Sequence, residues 1–76
     1  MQETVYVVQG FTAGKRGALV PMPPMTFKTE GQARERAARL GETCQGVIAF
    51  AQTADIDVGD YADPVVLERV GVVPEL

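Results

Sequence analysis

Histidine and tryptophan are absent from this sequence, and cysteine occurs once, as Cys44. Without histidine the commonest general base of enzyme chemistry is missing. With one thiol, no disulfide can close within the chain, and one thiolate with no histidine is a poor basis for a four-ligand structural zinc site. The expectation is a protein that is not an enzyme and holds no metal or cofactor. Long apolar runs are also lacking, and none approaches the ~18 residues that a membrane helix needs, so no membrane span is expected. The start, Met1-Gln2-Glu3-Thr4, is acidic where a secretory signal is basic, and the apolar run Val5–Val8 is too short for its hydrophobic segment. A lone thiol and no export signal point to the reducing cytoplasm.

What remains is a short chain with an ordinary globular composition. Its 76 residues are 46% hydrophobic and 22% charged, enough apolar material to fold and too little charge for disorder. That length makes one small domain, residues 1–76, which buries only about 60–65% of its unfolded surface and has a thin stability margin. Charge is unevenly spread. Residues 1–40 carry six bases against three acids, a net of +3, whereas residues 41–76 carry seven acids against one base, a net of −6. Such asymmetry concerns partners more than fold.

Along the chain, Thr4 to Phe11 reads as a strand, with Val5 and Val7 on one face and Tyr6 and Val8 on the other. A turn over Thr12–Gly17 has two glycines, and Ala18–Met22 resumes as a second strand, so Lys15 and Arg16 stand at a hairpin tip. Pro21–Met25 halts sheet pairing, because proline offers no N–H. Thr29 and Gln32 form a capping-box pattern. Ala33, Ala37, Leu40 and Cys44 then recur as the apolar stripe of a helix, which Gly46 would stop. Val47 to Gln52 is apolar on both faces, as suits a central strand. Thr53–Asp60 reads as an acidic loop or loose hairpin, with a short fourth edge strand at Asp60–Ala62. Asp63-Pro64 then fits the N-cap and first position of a short helix bearing Val66, Leu67 and Val70, followed by a tail over 72–76. The fold class expected is α+β: ββαβ with a short C-terminal helix, its three- or four-stranded sheet packed on one main helix.

Three constellations invite a functional reading. Asp55, Asp57, Asp60 and Asp63 fail the calcium-loop pattern, since glycine stands fifth and aspartate sixth instead of the reverse. Carboxylates at steps of about 6.5–7 Å along an extended chain can instead occupy a basic groove built for phosphates, although a solvated turn is the commoner role for such a loop. Cys44, on the helix stripe, reads first as a small core residue and second as an intermolecular contact or disulfide in a homodimer. Lys15, Arg16, Arg34 and Arg39 offer a nucleic-acid contact. The net charge of −3 and the lack of any known binding motif argue against direct nucleic-acid binding.

The segments Tyr6–Val20 (YVVQGFTAGKRGALV) and Gly46–Pro74, with its DPVVLERVGVVP ending, resemble small proteins of bacteria and their phages. In size, acidity and ββαβ plan the chain is similar to phage-encoded inhibitors of CRISPR–Cas complexes (anti-CRISPR proteins), a resemblance of type that carries no site residue. It implies a non-catalytic protein in the host cytoplasm that blocks the DNA-binding surface of a host CRISPR–Cas effector; the acidic charge of the second half of the chain, not the resemblance, makes Asp55, Asp57, Asp60 and Asp63 the candidate contact. The alternatives are a small homodimeric structural or regulatory protein and a weak nucleic-acid accessory.

Overall fold

A computed structural model describes residues 2–73. The architecture is one antiparallel sheet of six strands with a single helix on one face. Strand β1 (Gln2–Ala13) leads through a 3-10 turn, Lys15–Gly17, into β2 (Leu19–Pro21) and β3 (Met25–Phe27). Helix α1 (Glu30–Leu40) follows, then β4 (Gly46–Asp55), β5 (Asp60–Tyr61) and β6 (Val65–Gly71). The long strands β1 and β4 pair along ten positions at the centre. Both β2 and β3 pair with the outer edge of β1, and both β5 and β6 with the outer edge of β4. The sheet is thus four strands wide, each outer strand being broken into two pieces.

Local chemistry accounts for the pieces. The connector at 22–24 contains Pro23 and Pro24, so the outer edge of β1 is interrupted there. Around it, Met22 N–H still donates to the Gly10 carbonyl at 2.8 Å, and the Gln9 side-chain amide donates to the Met22 carbonyl at 2.7 Å. Thr29 caps α1 by accepting from the Gln32 backbone N–H at 3.2 Å, one half of the predicted box. Glu30–Arg34 and Glu35–Arg39 pairs, at 2.9 and 3.2 Å, run along the helix one turn apart. Both are exposed, and such pairs contribute only about 0.3–0.5 kcal/mol each.

The core lies between α1 and one face of the sheet. Ala33 and Ala37 are fully buried against Val8, Val47 and Ala49, ringed by Tyr6, Phe27, Leu40, Cys44, Leu67 and Val70. Two alanines on the helix allow its close approach. No helix among the described residues is long and apolar enough to cross a membrane.

Several expectations from the sequence are overturned. The ββαβ plan with a three-stranded sheet gives way to βββαβββ. Met25–Phe27, which begins inside the segment Pro21–Met25 expected to halt sheet pairing, is a strand whose register sets Tyr6 opposite Phe27 and Val8 opposite Met25. The short C-terminal helix does not exist: Val65–Gly71 is β6, paired to β4. The edge of β4, apolar on both faces, needs hydrogen-bond partners along its length, and the β-branched residues Val65, Val66 and Val70 suit a strand that supplies them. Pro64 falls just before that strand, where its missing N–H is harmless. A bulge between Ala49 and Phe50 leaves Leu67 without a cross-strand partner and places it against the core, which mimics the helical spacing of Val66, Leu67 and Val70. Gly46 does not stop the helix. Gly41 caps it, its N–H donating to Ala37 at 2.9 Å, and Gly46 opens β4, where an added Cβ would collide with the Val72 backbone. The tail falls partly outside the described residues, at 74–76.

Candidate functional site: the acidic hairpin

The predicted acidic loop is a tight hairpin at one end of the sheet. Asp55 and Asp60 are cross-strand partners, as are Ala54 and Tyr61. The turn between them closes with the Gly59 N–H donating to the Asp55 carbonyl at 2.8 Å. Gly59 adopts φ +72°, a conformation that glycine takes without penalty. The Asp55 side chain accepts from the Asp57 backbone N–H at 3.1 Å, the local bond that aspartate makes readily in turns.

Neighbouring residues fix this hairpin to the sheet. Ala62 N–H donates to the Thr53 carbonyl at 2.9 Å, and the Gln52 amide donates to the Ala62 carbonyl at 2.6 Å. Thr4 and Thr53 hydroxyls meet at 2.8 Å across the β1–β4 pair. A cleft of about 350 Å³ lies here, lined by Gln2, Thr53, Asp55, Asp60, Tyr61 and Ala62.

Asp55, Asp57 and Asp60 are therefore gathered on one turn, and exposed Asp63 follows in the connector to β6. Among the described residues no three carboxylates or thiols converge as a metal site. Sequence reading missed the apolar side chains of the same turn: Ile56 is 54% exposed, Val58 67% and Tyr61 76%. The signal was present as the alternation Asp55-Ile56-Asp57-Val58, which was read for its charge alone. A lysine or arginine side chain entering the cleft could lie against the Tyr61 ring.

The other predicted residues lie elsewhere. Lys15 and Arg16 occupy the 3-10 turn at the far end of β1, both exposed, with Arg16 at φ 61°. Arg34 and Arg39 are on α1, each engaged by a glutamate one turn earlier. The four bases thus belong to two separate elements. Cys44 is in the turn between α1 and β4, half-buried, with its Sγ 3.4 Å from Met22 Sδ. Gly10 makes room for that sulfur pair, because an added Cβ there would press on both atoms. The helix stripe from which a dimer contact was expected faces the sheet at Ala33 and Ala37. No family model, curated protein or solved structure matches this chain.

Proposed function

We propose that this chain is a non-catalytic, cytoplasmic protein-binding module that seats its acidic hairpin on a basic protein surface. The observation that carries this reading is the make-up of one turn: three well-exposed apolar side chains, Ile56, Val58 and Tyr61, interleaved with Asp55, Asp57 and Asp60. Apolar anchors supply contact area at a binding surface, while the surrounding charge steers encounter and fixes orientation. A groove lined by lysine and arginine for a phosphate backbone has the complementary chemistry. The similarity in size and acidity to phage-encoded inhibitors of CRISPR–Cas complexes, which no longer extends to the ββαβ plan, supplies a concrete target of that kind, on which bound protein would exclude DNA.

A competition assay tests the reading. A purified CRISPR–Cas effector is loaded with a fluorescent DNA duplex, and displacement is followed by anisotropy as this protein is added. Displacement is expected, with D57K/D60K/D63K and Y61A each weakening it by about tenfold or more, or ~1.4 kcal/mol and above. Absence of displacement removes the effector as target. Pull-down from nuclease-treated host lysate then asks whether any other basic complex is captured by the wild type and lost by the triple variant. If neither occurs, the proposal fails.

A further inference from the structure

The face of the sheet turned away from α1 lacks the polar alternation of an antiparallel sheet exposed to water. Cross-strand partners share a face, so the registers place Val5, Val7, Phe11, Ile48, Phe50 and Val66 together there. Gln9, Gln52 and Arg69 are among the few polar residues between them. Ile48 and Phe11 are already buried on this face, Val7 and Phe50 are half-buried, and Val5 and Val66 are each 39% exposed. Helix α1, the one helix of residues 2–73, packs on the other face. A sheet that is apolar on both sides is stable when both sides are covered.

We infer that the helix-free face carries a second copy of this chain, packed sheet against sheet with the strands of the two copies running antiparallel. Area and charge both select this occupant. Four strand widths of about 4.8 Å by about 40 Å along β1 give a flat footprint of roughly 750 Å², broad enough to seat a second sheet of the same size. The molecule measures 43 Å in its longest dimension, about the length of β1 itself at ~3.3 Å per residue. Its two ends carry opposite charge: Lys15 and Arg16 beyond Ala13, and Asp57 beyond and Asp60 beside the Gln2–Asp55 pair. Two isologous arrangements are open to identical faces. An axis along the strands stacks acid on acid and base on base. An axis across the strands, near Val7–Gln9, brings each basic turn over the acidic hairpin of the other copy. Electrostatics therefore favours the second, and the expected product is a two-layer sandwich with α1 on each outer side.

This inference does not rest on the proposed partner; both engage Asp57 and Asp60, so dimer and partner compete for the hairpin, and a variant altered only on the sheet face tells them apart. V5K/V66K should break the dimer and leave Asp55–Asp63 intact for the DNA-displacement assay. Sedimentation velocity is run from about 1 μM to about 1 mM, the range that spans weak to moderate association. Wild type should dimerise, and V5K/V66K should be monomeric with an unchanged far-UV spectrum. A charge-swap pair keeps the test decisive if that variant fails to fold. K15E/R16E and D57K/D60K change only exposed residues in or next to the two turns. Each alone should raise the dimer dissociation constant about tenfold or more, and their equimolar mixture should restore association as a heterodimer. A wild type that is monomeric at the highest concentration overturns the inference. So does a dimer that persists in folded V5K/V66K, or a mixture that associates no better than its components.

Discussion

Val8→Ala gives the sharpest test of how this sheet is covered. Val8 is fully buried, packed against Ala33 and Ala37 of α1 and flanked in register by Met25 and Ala49. Truncation to alanine removes two methyl groups, a transfer loss of about 1.6 kcal/mol. The alanines around it have no side chain long enough to refill the space, so a cavity term brings the expected loss to about 2–3 kcal/mol. A domain of this length has a total stability of about 4–11 kcal/mol, so this one change removes a large fraction of it. The midpoint of thermal unfolding should fall by about 10–20 °C, at about 4–8 °C per kcal/mol for a domain of this size. Circular dichroism melts and urea titrations at low protein concentration measure it, with an unchanged urea m value marking a pure stability effect. Val7→Ala, one residue along and half-buried on the helix-free face, is the control and should cost less than about 1 kcal/mol in the monomer. Equal losses at the two positions would falsify the one-sided placement of α1.

Three further changes probe local structure. Thr29→Ala removes the acceptor of the Gln32 N–H and should cost about 1 kcal/mol, with Thr29→Asp retaining most of the stability in the same urea titration. Arg16→Gly should raise the urea midpoint, by up to about 1 kcal/mol in stability, because Arg16 sits at φ 61° where glycine avoids the side-chain penalty; a lowered midpoint would mean that the turn takes another form. Val65→Ala separates strand from helix by sign. Val65 is 62% exposed in a strand, where alanine should cost about 0.5 kcal/mol, whereas in a helix the same change would stabilise.

Much of this molecule follows from short-range sequence. The Thr29 cap and the spacing of Ala33, Ala37 and Leu40 define α1, because a helix satisfies its own backbone and its pattern needs no distant partner. The apolar run in β1, the glycines of its turn and the two-faced apolarity of β4 likewise declare themselves. The acidic hairpin was legible as a charge cluster, and its exposed Ile56, Val58 and Tyr61 were not, since apolar letters in a sequence suggest burial until a fold leaves them outside. Tertiary structure alone decided β3 and β6. A strand satisfies its backbone only through a neighbour, so three residues after two prolines become β3 solely because the edge of β1 is there to receive them. Likewise, the Asp-Pro and the spacing of Val66, Leu67 and Val70 wrote a helix that the open edge of β4 and one bulge turned into a strand.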